Sequence, residues 1–255
     1  MTEAARLLVT VAHPDDETFG TGSVIAIAAE HGAHVTVCCA TRGEAGDVRG
    51  LTSATEIGAV REAELRSAGS ALGVAQFIVL DYVDSGMTGE PGPRTLAGAP
   101  FGDVISDVRN VVDQIKPDVV VTLDPDHGDG HRDHAVIAQA TMQACRHLPE
   151  VRVYAWALPR PLLARWFAEL GKVRPRSAHL ELDQRGLGRP EQQITTVLDV
   201  SDVRSQRENA ISLHASQTSP YDGMSADLRG EFLDIDHLIR LQPAWTGDGR
   251  EHTLL

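Results

Sequence analysis

Along the chain, apolar runs of strand length alternate with longer stretches of helical period. RLLVTVA (6–12) and HVTVCCAT (34–41) flank a helical SVIAIAAEHG (23–32). Strand, helix and strand in that order form a βαβ unit, whose strands pair in parallel. A helix over 61–73 places Leu65, Ala68 and Leu72 on one face and leads into a strand at 77–83. A third helix, over 101–116, spaces Val104, Val108, Val111, Val112 and Ile115 along one side and ends at Pro117. The uninterrupted β-branched run at 118–125 predicts a fully buried strand. A Gly-rich polar loop, a helix over 131–148 and a strand over 151–159 follow it.

The last third is less regular. It predicts a helix near 160–170, strands at SAHLEL (177–182) and QITTVLDV (193–200), a helix over 201–216 and a terminal EFLDIDHLIRL (231–241). No Pro/Ser-rich linker or internal repeat divides the chain. The expectation is one α/β domain over 1–255: a Rossmann-like, doubly wound, mostly parallel sheet with its core in about 5–160 and a C-terminal elaboration over 161–255.

Composition leaves this picture intact and narrows the partners. With 42% hydrophobic and 23% charged residues, the chain is ordinary for a globular protein. A net charge of -13 argues against broad contact with nucleic acid or an anionic membrane, which points to a small-molecule partner and leaves homo-oligomerisation open. The first apolar run, 7–12, is too short for a signal-peptide core or a membrane span, so a cytoplasmic location is expected. Cys38, Cys39 and Cys145 form no disulfide framework and read as buried small hydrophobes.

In open parallel sheets, ligands lie beyond the carboxyl ends of the strands. Four polar clusters sit at such positions: HPDDE (13–17), RGEAGD (42–47), DSGM (84–87) and DHGDGHRDH (126–134). A catalytic zinc takes three side-chain ligands and leaves one position for water. His13 and Asp16 could share one ion across the turn stiffened by Pro14, and either His131 or His134 could complete the set; spacing alone does not choose between them. Gly20 and Gly22 do not make a dinucleotide-binding turn, because the strand-to-helix turn itself is HPDDETF and lacks the third glycine.

HPDDE after a first strand, joined to HRDH after a later one, resembles the PIG-L/LmbE-like family of zinc-dependent N-deacetylases. Within that family the nearest likeness is to the mycothiol-pathway members that act on N-acetylglucosaminyl-inositol. The resemblance implies His13, Asp16 and His134 as zinc ligands, with iron(II) also suited to the donor set. It implies Asp15 as general base, and His131 as the imidazole that steadies the oxyanion or protonates the leaving amine. It also implies substrate contacts from Arg61, in REAEL, and Asp84, in YVDSGM. Asp129 stands where that subgroup carries a Tyr; it is expected to contact substrate, but when ionised it cannot donate a hydrogen bond.

His214, in SLHASQ, resembles a segment that returns near the active site and is expected to support it. Arg42, Arg49, Asp126 and His127 read as loop charges. The expected function is zinc-dependent removal of an N-acetyl or other small acyl group from a glucosamine-type conjugate. The rivals are a metal-dependent phosphoesterase and a non-catalytic sugar- or nucleotide-binding module.

Overall fold

A computed structural model describes residues 4–46, 51, 53–126 and 128–255 of the chain. Arg49 and His127 lie outside the described residues. Seven strands form one sheet: β1 (Arg6–Val11), β2 (His34–Thr41), β3 (Gln76–Tyr82), β4 (Val119–Thr122), β5 (Arg152–Trp156), β6 (Thr196–Asp199) and β7 (Ile235–Gln242). Their order is β3-β2-β1-β4-β5-β7-β6. Only β7 runs against the rest, pairing antiparallel with β5 and β6. Strand order reverses between β1 and β4, which pair in parallel through Leu7–Val119 to Val9–Val121, and the crevice of such a sheet opens above that reversal.

The expected doubly wound α/β architecture is therefore present. The helices are α1 (Asp16–Phe19), α2 (Gly22–Glu30), α3 (Ala54–Leu72), α4 (Phe101–Ile115), α5 (Arg132–Cys145), α6 (Arg160–Val173), α7 (Arg204–Leu213) and α8 (Ala226–Asp234). Helices α2, α3 and α7 pack together on one face of the sheet, and α4 and α5 on the other. β1, β2 and β4 are covered on both sides, which is why they read as continuous apolar runs rather than alternating ones. Cys38, Cys39 and Cys145 are buried in this core as free thiols. No helix among the described residues is long and apolar enough to cross a membrane.

Four segments differ from expectation or resolve what it left open. Helix α3 starts at Ala54 instead of 61, because Ser53 caps it by accepting the Glu56 N–H. The Ser-x-x-Glu signature at 53–56 marks that start, although the apolar period only becomes visible later. SAHLEL forms a 3-10 turn over Ala178–Glu181 rather than a strand. It alternates polar and apolar residues, but Leu180 and Leu182 pack on a helical cluster and β6 already closes that end of the sheet. Finally, EFLDIDHLIRL divides between the end of α8 and β7, and the helix expected over 201–216 is a 3-10 turn (Ser201–Val203) followed by α7.

A second hydrophobic cluster, separate from the sheet core, joins Leu163, Trp166, Phe167 and Leu170 of α6 to Leu228 and Phe232 of α8 and to Tyr221. It stands beside the crevice, against Phe19 and Leu158.

Candidate metal centre and active site

The turn after β1 carries His13, Asp15 and Asp16; the loop after β4 carries Asp129, His131 and His134. The sheet reversal brings these two segments together. His13 Nδ1 lies 3.4 Å from Asp16 Oδ2, His134 Nε2 lies 3.2 Å from Asp16 Oδ1, and His134 Nε2 lies 3.3 Å from His13 Nδ1. Tetrahedral zinc, with ligand bonds of about 2.0–2.2 Å, needs donor-to-donor edges of about 3.3–3.6 Å. The two imidazole nitrogens stand one such edge apart, and Asp16 brings a different carboxylate oxygen to within that distance of each.

The nitrogens on the far sides of the two imidazoles are also engaged. His13 Nε2 faces Asp133 Oδ2 at 3.2 Å and Asp84 Oδ1 at 3.5 Å, and His134 Nδ1 is 2.6 Å from Asp129 Oδ2. A carboxylate behind each imidazole fixes its ring and tautomer, as metal-binding histidines require. Burial works against charge on His13, yet Asp133, Asp16 and Asp84 together hold it well above the usual imidazole value. Burial likewise opposes charge on His134, and Asp129 and Asp16 push it up to about 10. A field that holds protons on two buried imidazoles equally stabilises a cation lodged between them.

Two further donor groupings lie within 4.8 Å: His13 with His131 and His134, and His13 with Asp84 and Asp133. In the first, His131 Nδ1 already accepts the Asp133 N–H at 3.2 Å, capping α5. That bond leaves the imidazole proton on Nε2. Burial, with His13 and His134 close by, pushes His131 down to about 3, so it is a neutral N–H donor at pH 7. The second grouping lies on the Nε2 side of His13 and fixes that ring.

Asp15 sits between these groups and a strained backbone. Its φ of 124° falls where side chains are disfavoured, at a cost of about 1–3 kcal/mol. Arg61 offsets part of this: its guanidinium donates to Asp15 Oδ2 at 2.9 Å, to Pro14 O at 2.7 Å and to Gly43 O at 2.8 Å. Gly43 is needed for that contact, because a Cβ there would stand 2.2 Å from the guanidinium. Burial, with the Asp16 charge beside it, pushes Asp15 up to about 6 against the pull of Arg61.

Glu17, the last residue of HPDDE, was not singled out by the sequence, yet it holds this turn from beneath. Its Oε2 accepts the Asp15 N–H at 2.9 Å and its Oε1 lies 2.7 Å from His214 Nε2, with both side chains fully buried. His214 thus supports the turn rather than facing the crevice. Arg207, also fully buried, donates to the Thr18 and Phe19 carbonyls at the end of α1 and pairs with Asp236 at 3.2 Å. Nothing in the spacing of Arg207 announced this, since the two carbonyls lie about 190 residues away.

The remaining expected site residues are placed as follows. Asp84 faces His13 and accepts the Gly86 N–H at 2.8 Å. Asp129 uses one oxygen on His134 and the other on the His131 N–H at 3.0 Å. Arg42 pairs with Glu62 and Asp81, and Asp126 with Arg189. All eight candidate residues, His13, Asp15, Asp16, Arg61, Asp84, Asp129, His131 and His134, line one cavity of about 960 Å³.

Known proteins resemble this chain in sequence and in fold. Over 97% of its length the chain is 31% identical to the 1D-myo-inositol 2-acetamido-2-deoxy-alpha-D-glucopyranoside deacetylase of Acidothermus cellulolyticus, covering 93% of that protein. Two solved structures share the fold. The 4-carboxy-2-hydroxymuconate hydratase of Pseudomonas putida has a TM-score of 0.66 at 19% identity, over 96% of this chain and 99% of that one. The N,N'-diacetylchitobiose deacetylase of Pyrococcus horikoshii has a TM-score of 0.62 at 20% identity, over 94% and 88%. Residues 8–145 match the model of the PIG-L (GlcNAc-PI de-N-acetylase) family, and the chain belongs to that family.

Proposed function

We propose that this protein is a metal-dependent N-deacetylase that removes a small acyl group from the amine of a glucosamine-type conjugate. The observation that carries the reading is the cluster of His13 Nδ1, His134 Nε2 and the two Asp16 oxygens, each imidazole nitrogen 3.2–3.4 Å from one of those oxygens and 3.3 Å from the other nitrogen, standing beside Asp15 and His131. Family membership and the deacetylase relatives support the same substrate chemistry. Zinc suits the two imidazoles and one carboxylate, and iron(II) suits them as well.

His13, Asp16 and His134 would hold a divalent ion, which would supply Lewis-acid polarisation of the amide carbonyl and a water of lowered pKa. The chain's own residues do the rest. Asp15, with Oδ2 held by Arg61, keeps its other oxygen for the proton of the attacking water. At about 6 its pKa leaves it ionised at neutral pH and still basic enough for that transfer. The neutral His131 directs its Nε2–H at the amide oxygen as negative charge develops there. When the C–N bond breaks, the proton held on Asp15 passes to the amine nitrogen, and a carboxylate and a free amine leave. Asp84 and Asp129 act through His13 and His134, fixing the rings.

The test is acetate release from N-acetylglucosaminyl-inositol and from N-acetylglucosamine, with and without zinc, by the wild type and Asp15→Asn, with phosphate esters as a control. Metal-dependent release that falls by about 10²–10⁴ in Asp15→Asn, with the zinc stoichiometry kept, is expected. Cleavage of the phosphate esters alone, or a variant as fast as wild type, would overturn the reading.

A further inference from the structure

The cavity is unequal across the sheet. On the side of β2 and β3 its wall is made by Ala45, Gly46, Asp84 and Gly86, which present backbone groups and a carboxylate. The metal-type cluster lies in the middle, at the ends of β1 and β4. On the side of β5 the wall holds Trp156, Leu158 and, from α6, Leu163, Trp166 and Phe167, and past the end of α6 the lining turns polar with Arg174 and Arg176. All of these apolar residues but Trp156 belong to the second hydrophobic cluster or pack on it. At about 960 Å³ the cavity is at the upper end of the roughly 300–1,000 Å³ found for small-molecule pockets. An acetyl group needs almost none of the apolar side.

An amide reacting over the metal-type cluster has its sugar on one side and its acyl group on the other. Hydroxyls suit the side of β2 and β3, which leaves the apolar wall to the acyl chain. We propose that the preferred substrates are amino sugars bearing an N-acyl chain longer than acetyl, of medium length and unbranched, seated between Trp156 and α6. This rests on the N-deacylation reading above and departs from it only in the group removed, a longer acyl chain in place of a small one.

The experiment compares N-acetyl-, N-butanoyl- and N-octanoylglucosamine, with octyl N-acetylglucosaminide as the arrangement that carries the alkyl chain on the aglycone. Two quantities are measured: kcat/KM for the zinc-loaded protein, and affinity by calorimetry in chelator, where no hydrolysis intervenes. Burial of six further methylenes is expected to raise both by about tenfold or more from acetyl to octanoyl. Leu158→Trp, which narrows the apolar side at a half-buried position, is expected to collapse the octanoyl-to-acetyl ratio towards one.

Equal or falling values along the acyl series, with acetyl cleaved, overturn the proposal and leave the deacetylase reading standing. A gain shown by the octyl glycoside and not by the N-octanoyl compound also overturns it, since the apolar side then receives the aglycone. Tighter binding of the N-octanoyl compound without hydrolysis of any member supports the apolar subsite and overturns the deacetylase reading instead.

Discussion

The turn after β1 and the loop after β4 both end a parallel strand, open a helix and hold ionisable groups over the same crevice, but they are stabilised in different ways. In the loop after β4 the two imidazoles are set locally, although Arg189 and the Gly188 N–H also reach the loop, at Asp124 and Asp126 and at the Gly128 carbonyl. Asp129 accepts the His131 N–H and holds His134, His131 caps its own helix through the Asp133 N–H, and the positive φ falls on Gly130, where it costs little. In the turn after β1 the positive φ falls on Asp15, and the supports come from a distance. Arg61 arrives from α3, the pair of Glu17 and His214 ties the turn to the end of α7, and Arg207 of α7 holds the carbonyls that end α1. A strained carboxylate in the crevice is held there in part by Glu17, His214 and Arg207, which do not line it. Remote substitutions on α7 should therefore damage the first turn, while the imidazoles of the second answer mainly to local ones.

The largest expected effect follows from Arg207. Arg207→Met removes the donors to the Thr18, Phe19 and Phe232 carbonyls and leaves Asp236 buried without its partner. Breaking a buried pair from one side costs about 3–5 kcal/mol. Urea unfolding is expected to show a loss of that size, with activity per folded molecule lowered as well, because α1 follows Asp15 directly. A loss below about 1 kcal/mol, in the range of an ordinary surface pair, would mean that the first turn is held by its own sequence after all and would dissolve the contrast.

The two segments also differ in how far they could be read from sequence. HPDDE and HRDH were legible because their chemistry is compressed into five and four residues at strand ends, so neither needs tertiary information to be noticed. The parallel sheet was legible for a related reason, since strands covered on both faces, such as 34–41, read as continuous apolar runs. What the spacing left open was which of His131 and His134 completes the metal set, since that depends on where the ring nitrogens point. The orientation of the rings supports His134 in that proposal: His131 Nδ1 is turned back onto its own helix, and His134 Nε2 faces Asp16. Arg207 and the aromatic wall of α6 were illegible in function, because a buried arginine or tryptophan at helical spacing looks like any other until its partners, far along the chain, are in place. Fold alone does not name the reaction either, since a hydratase shares this architecture, and the site must decide.

A smaller effect is expected within the second segment. Asp129→Asn keeps a hydrogen bond to His134 and removes the charge behind it. Loss of a carboxylate behind a metal-binding imidazole typically weakens the metal by about 10–100-fold. Competition with a chromophoric chelator for zinc should show a drop in that range, with the unfolding midpoint little changed. If zinc affinity holds and KM for the sugar rises instead, Asp129 contacts substrate, as its place in the sequence first suggested, and His134 is fixed by other means.

The smallest effect is the most specific to the first turn. Burial opposes charge on His214, but Glu17, with Asp15 and Glu64 nearby, raises its pKa above the ordinary value. A histidine raised on folding contributes stability that is complete below its unfolded pKa of about 6.5 and is lost as pH climbs through the folded value. His214→Gln keeps a polar donor towards Glu17 and cannot carry the charge. The variant should therefore be less stable than wild type by about 1–2 kcal/mol at pH 6, the worth of a charge-assisted hydrogen bond over a neutral one. The gap should narrow as the pH is raised to 9. Thermal unfolding of both proteins across that range measures it. A gap that is the same at pH 6 and pH 9 would mean that His214 is neutral in the fold, and that the distant support of Asp15 is hydrogen bonding without charge.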